Sequence, residues 1–203
     1  MQKTRRSQEQ RRQETRRRLI SATIQVINEK GFAAMRTGDI TKKAGVTWGA
    51  AQHLFGGKAE LLTQVASDVS DTLIDTLETD IDADLPARDK LALIIDQTWE
   101  LYSSRTYFAM VEILRGTRKD PSIHDNMVDA QIKITKKIEK LWVRIFKADE
   151  IAEQTILRLC HIVTLYLAGL AARKIYAMPA TETERYISYI KDMTAAEIAR
   201  KHS

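Results

Sequence analysis

Three features of the sequence predict an all-α fold of about nine helices. Helix formers recur throughout, and only 8 Gly and 3 Pro interrupt them in 203 residues. Apolar residues return at three- and four-residue steps in one segment after another, the period of a helix with a single buried face. No segment alternates polar and apolar residues as a half-buried strand would. The chain is long enough to bury a core in one or two compact domains.

The elements follow in order. The first 18 residues carry eight basic and two acidic side chains. They have no face to bury, so residues 1–13 read as a flexible basic arm, with Arg5, Arg6, Arg11 and Arg12 available to phosphates or a minor groove. From about Glu14, the residues Leu19, Ala22, Thr23, Val26 and Ile27 trace one helix, which Gly31 ends as a left-handed cap. Short helices are expected at about 38–44 and 47–54, separated by Gly45, and a longer one at 58–79 with Leu62, Val65, Val69, Leu73 and Leu77 on one stripe. The segment 80–88, with Pro86, reads as the boundary between a small front domain and a larger rear one. Leu91, Ile94, Ile95, Thr98, Trp99 and Tyr102 mark the next helix, and a shorter one covers about 107–117. Asp120 as N-cap with Pro121 at the first position opens another, expected to reach about Lys147. The segment 149–176 is apolar on every side, so it needs cover on two faces: its own core and a partner. Thr181 and Glu184 have capping-box spacing for a last helix.

Charge is distributed unevenly. The net charge is +5, but residues 1–60 hold 13 Lys or Arg against 5 Asp or Glu, leaving 19 against 22 for the remainder. A basic front on a slightly acidic rear points to a polyanion held at one end. The single cysteine, Cys160, excludes an internal disulfide framework and fits a reducing compartment. No signal-like apolar run occurs before Arg18, and the apolar stretch 159–172 is short for a bilayer span, so a soluble, cytoplasmic protein with no membrane partner is expected. Nothing resembles a Gly-rich phosphate loop or a Gly-x-Ser-x-Gly elbow, and His53, His124, His161 and His202 form no cluster, so no enzyme is expected. Cys160 and His161 are adjacent and diverge on a helix. Both are assigned to the core, with no metal and no cofactor.

The segment 16–62 carries the functional signal. Three helical units sit at helix-turn-helix spacing, and Ala44-Gly45-Val46 forms the turn: a small residue for close packing, glycine for the reversal, an apolar anchor. Thr47 can cap the following helix, whose N-terminal residues would face base edges. In the order Gly31-Phe32, Asp39-Ile40, Ala44-Gly45-Val46-Thr47, Gly49, His53-Leu54-Phe55 and Gly57-Lys58-Ala59-Glu60-Leu61-Leu62, the first third of the chain resembles the TetR family of regulators.

That resemblance implies a helix-turn-helix DNA-binding domain at 14–60 and a ligand-binding and dimerisation domain at 61–203. It implies DNA contacts from Thr47, Trp48, Gly49, Gln52 and His53, with Lys58 on a phosphate; Trp48 would meet a thymine methyl group. Gln52 stands where the family usually has a tyrosine, and Met35 where it commonly has threonine, with Arg36 beside it as a substitute contact. Leu54 and Phe55 read as core. The implied partners are double-stranded operator DNA, a second copy through the two C-terminal helices, and a small apolar or aromatic effector. Trp99, Tyr102, Phe108, Met127, Trp142 and Tyr166 are the candidate ligand-binding residues. The expected function is a sequence-specific regulator, most simply a repressor released from a palindromic operator by its ligand. The alternative is a nonspecific or architectural DNA-binding protein.

Overall fold

The computed structural model describes residues 8–82, 84–176 and 179–200, and among these it is built of helices without strands. The helices are α1 (Gln8–Lys30), α2 (Thr37–Ala44), α3 (Trp48–Phe55), α4 (Lys58–Asp80), α5 (Ala87–Tyr102), α6 (Arg105–Gly116), α7 (Pro121–Ile145), α8 (Glu153–Ala172) and α9 (Ala180–Ala199), with short 3-10 turns at Thr117–Lys119 and Arg173–Tyr176. They pack as two compact units, one of residues 1–69 with 105–131, the other of residues 70–104 with 132–203. The long helices α4 and α7 each contribute to both.

In the first unit α1 packs on α2, α3 and α6. Leu19, Ala22, Thr23, Val26 and Ile27 are all buried, as their spacing requires. The α1–α6 packing also depends on Gly116, because a Cβ there would overlap the Phe32 ring. The Glu112 carboxylate accepts from the Phe32 N–H at 3.2 Å.

α1 starts six residues earlier than its apolar pattern suggests. Residues 8–13, read from sequence as arm, are helical: Gln13 Nε2 donates to Glu9 at 2.8 Å and Thr15 Oγ1 to the Arg11 carbonyl at 2.8 Å. Arginine and glutamine are good helix formers, and a helix propagating from a buried turn adds one hydrogen bond per residue without needing an apolar face. Arg5 and Arg6 lie outside the described residues.

The second unit has one core, in which Leu73, Leu77, Leu91, Ile94, Ile95, Ile134, Ile138, Leu141, Trp142 and Phe146 meet Ile156, Leu159, Cys160, Val163 and Leu167 of α8 and Ile190 and Ile198 of α9. The first turn of α5 brings Lys90 into it. Its side chain is only 1% exposed, and Nζ lies 2.7 Å from Asp149 Oδ2 in the turn between α7 and α8.

That turn corrects the expected start of α8, which begins at Glu153 rather than 149. The Asp149 carboxylate is held by Lys90 and Glu150 has φ 52°, so the chain cannot be helical there. The predicted capping box on α9 is also absent. The helix starts at Ala180 behind Pro179, and the hydroxyl of Thr183 donates to the Pro179 carbonyl at 3.2 Å. Proline fixes φ near −65° and so pre-organises this start without a side-chain cap.

α8 is long and apolar enough by length and composition to cross a membrane, yet Ile156, Leu159, Val163 and Leu167 are closed into the core of this unit. Its opposite side is uncovered. Ile162 and Leu165 are 42% and 74% exposed, and Tyr189 and Met193 of α9 are 59% and 45% exposed.

Candidate nucleic-acid interface

α2 and α3 form the helix-turn-helix, and the hydrogen bonds of the turn follow from its residues. Gly45 has φ 65°, left-handed, which lets its N–H reach the Lys42 carbonyl at 3.3 Å and the Val46 N–H reach the Thr41 carbonyl at 3.1 Å. These paired bonds close the last turn of α2 and reverse the chain. Thr47 then caps α3, its Oγ1 accepting from the Ala50 N–H at 3.3 Å. Ala51 is buried inward, while Gly49, Gln52 and His53 are exposed at one-turn spacing on the opposite stripe, beside exposed Thr47. Three of these residues bring polar groups to this exposed face.

Trp48 is only half-buried, at the edge of this stripe. Leu54 and Phe55 are half-buried rather than core, and Phe55 lies under a cation, with Arg16 Cζ 5.4 Å from its ring centroid. Lys58, the first residue of α4, has Nζ 5.8 Å from the Phe32 ring centroid.

Met35 is buried at 4% exposure, so its position serves the core, whereas Arg36 next to it is exposed at the N-cap of α2. An arginine has no side-chain acceptor, so the cap comes from the other direction: Asp39 Oδ2 accepts from the Arg36 N–H at 3.3 Å. Lys30 Nζ reaches Asp39 Oδ1 at 2.7 Å, and this bond, with the charges of Lys30 and Arg36, holds the Asp39 carboxyl below its usual range despite some desolvation. Lys43 pairs with Glu29 at 2.6 Å, a second tie between α1 and α2.

Sequence reasoning missed Arg18. Its Nη2 donates to the carbonyl of Ala44, and also lies 3.5 Å from that of Gly45. No local signal announces a bond spanning 26 residues.

The six candidate ligand-binding residues fall into both units, Phe108 and Met127 in the first and Trp99, Tyr102, Trp142 and Tyr166 in the second. Met127 and Trp142 are closed into the core, at 0% and 1% exposure, while the other four are half-buried. Phe108 stacks edge-on with Tyr107. Trp99 lies under Lys174, whose Nζ donates to the Ser103 carbonyl at 3.1 Å, and Tyr166 donates its hydroxyl to the Tyr186 carbonyl at 3.0 Å.

The assignment of both Cys160 and His161 to the core holds only for the first. Burial pushes the Cys160 thiol up to about 12, but His161 is exposed and pairs with Glu139 at 2.7 Å. Successive helical residues point about 100° apart, so one buried neighbour does not imply another.

A capped helix-turn-helix with an exposed polar stripe, at the basic end of an all-α chain, defines a DNA-binding regulator. The pattern of bacterial regulatory proteins of the tetR family matches residues 19–65. The HTH-type transcriptional regulator CymR of Pseudomonas putida is 23% identical over 97% of this chain and 95% of its own length. TtgW, another HTH-type transcriptional regulator of that species, is 31% identical over 62% of this chain and 92% of its own. The crystal structure of FadR from Bacillus subtilis in complex with stearoyl-CoA superimposes with a TM-score of 0.68, at 18% identity, over 88% of this chain and 96% of that one. The chain belongs to the TetR family of transcriptional regulators.

Proposed function

We propose that the protein is a cytoplasmic homodimeric repressor that reads a palindromic operator and is released from it by a small apolar or aromatic effector. The observation that carries this reading is the α3 stripe of Thr47, Gly49, Gln52 and His53, exposed beside a capped N-terminus on the basic front of the chain. Thr47, Gly49, Gln52 and His53 take the base-facing role, with Trp48 at the edge of the stripe. Arg36 and Lys58 take phosphates, since contacts to the backbone set register while base edges carry sequence. Residues 14–60 act as the reading head and residues 61–203 as the sensing and pairing portion.

The second copy is proposed to dock on the uncovered face of α8 and α9. Ile162, Leu165, Tyr189 and Met193 are its exposed apolar residues, and the Arg158–Glu197 ion pair lies beside Ile162 and Met193. A two-fold pair through this face would carry two reading heads, which is why a palindrome is expected. Of the six candidate ligand-binding residues, the half-buried Trp99, Tyr102 and Tyr166 of the second unit are the ones proposed to meet the effector. FadR, whose structure holds stearoyl-CoA, supports a ligand with a long apolar chain on the same fold. Release requires only that the effector bind the non-DNA form more tightly.

Selection of bound fragments from random DNA tests this reading. A recovered palindrome is expected, with a preference over random duplex that survives physiological salt. Binding that shows no preference at that salt would instead mark an architectural protein. In the same assay Lys58→Ala should weaken all sequences alike and lower the salt slope by about 1. Trp48→Ala should relax sequence preference.

A further inference from the structure

We infer that Arg18 is a positioning residue: through the carbonyls of Ala44 and Gly45 it fixes the turn from which the recognition helix emerges, and Arg16 steadies the far end of that helix. The inference rests on the DNA-binding reading for its consequence, though not for its geometry.

The last carbonyls of a helix need partners. In α2 the paired bonds from Gly45 and Val46 take those of Lys42 and Thr41. Two more carbonyls at this end, those of Ala44 and of the turn residue Gly45, face the Arg18 guanidinium, whose Nη2 donates to the first and lies 3.5 Å from the second. A cation at this point is also favoured by the dipole of α2. Gly45 suits this turn because its φ of 65° disfavours a side chain; a Cβ there would come within 2.7 Å of Arg18 Nη2, so the guanidinium would have to shift. Eleven residues after the turn begins, at the end of α3, Phe55 lies beneath Arg16. One helix therefore contacts both the turn that leads into α3 and the last residue of α3.

α1 is a firm base for this grip, because Leu19, Ile20 and Ala22, immediately beyond the arginines, are at most 6% exposed. The direction in which Gly49, Gln52 and His53 point is thus referred to α1. The basic run of the sequence has a use besides phosphate attraction. The charge of Arg18 is engaged by backbone carbonyls, so its removal should disturb the shape of the reading head without releasing fewer counterions.

The test uses the full chain, the site recovered from random DNA, and a random duplex, across a range of salt. Arg18→Gln is expected to lose about tenfold on the recovered site, the scale of one charged hydrogen bond, with little loss on random DNA and an unchanged salt slope. Arg18→Lys keeps a cationic donor but not the planar fork, and should recover part of the preference. Arg17→Gln, which removes the same charge from the same turn of α1, is the control. In the DNA-free protein, amides of residues 44–49 should exchange with solvent about tenfold faster in Arg18→Gln than in Arg17→Gln. A slope lowered by about 1 with equal loss on every sequence would make Arg18 a phosphate contact and overturn the inference. Unchanged exchange at 44–49 would overturn it as well. If the wild-type chain yields no preferred site, the reading as a sequence-specific regulator fails, and the exchange measurement alone decides whether Arg18 braces the turn.

Discussion

Asp149→Ala should destabilise the protein by about 3 kcal/mol, far more than the loss of a surface ion pair would. The reason is its partner. Lys90 is 1% exposed and its ammonium is 2.7 Å from the Asp149 carboxylate, which is 14% exposed. Removing the carboxylate leaves a cation inside the core, whereas removing the cation leaves a carboxylate that water still reaches. Breaking a buried pair by deleting one partner costs about 3–5 kcal/mol, and the partial exposure of Asp149 argues for the lower end. Lys90→Met, which preserves the apolar stem, should cost about 1 kcal/mol. The double variant should lie within about 1 kcal/mol of the wild type, since two well-packed apolar groups replace the pair without a stranded charge. Urea unfolding at a fixed protein concentration, followed by the emission of buried Trp142, measures all four chains. For a chain of this size the melting temperature of Asp149→Ala should fall by roughly 6–12 °C. The reasoning is refuted if Asp149→Ala costs under about 0.5 kcal/mol, or if the double variant loses the sum of the two single losses.

Other outcomes follow from the same structure. Leu165→Glu, at the most exposed apolar position of α8, should weaken self-association by roughly 1,000-fold, because each of two copies forfeits about 2 kcal/mol of burial; sedimentation across a dilution series reads it, and an unchanged mass would refute the proposed pairing face. Gly116→Ala should cost about 1–3 kcal/mol by thermal melting, since the Phe32 ring must move to admit the methyl group. Cys160, with its thiol pushed up to about 12 by burial, should resist a thiol-specific reagent at pH 8 and react once unfolded; fast labelling of the native chain would contradict its burial. The Asp39 carboxyl is lowered below 3.8, first by the Lys30 hydrogen bond, so its contribution to stability is fully present above that value and lost as pH falls through the lower folded value. Asp39→Asn should therefore flatten the acid end of the stability profile, and an unchanged acid limb would show the Lys30 bond to be unimportant.

Much of the candidate site was legible because its signals are local. Thr47 announces a cap within three residues of the N–H it serves, and Gly45 announces a left-handed turn whatever surrounds it. The stripe of Gly49, Gln52 and His53 follows from a helical period once Ala51 faces inward. Arg18 was not legible, because its bond to Ala44 joins residues brought together only when α1 packs on α2. His161 was misread for a related reason: adjacency in sequence says little about burial on a helix. The early start of α1 escaped notice because residues 8–13 carry no apolar stripe, although their side chains support the helix along its own axis.

By itself the sequence determined the helical class, the order of the helices, the apolar stripes of α1, α4 and α7, and the helix-turn-helix, since these depend on period, composition and turn chemistry within a few residues. Only the tertiary structure decided that Lys90 lies in the core against Asp149, that Ile162 and Leu165 stay uncovered while Val163 and Leu167 do not, and that an arginine of α1 holds the turn before α3. Each of these depends on which surfaces meet across long separations in the chain, and burial, charge pairing and side-chain capping are properties of that meeting rather than of any one segment.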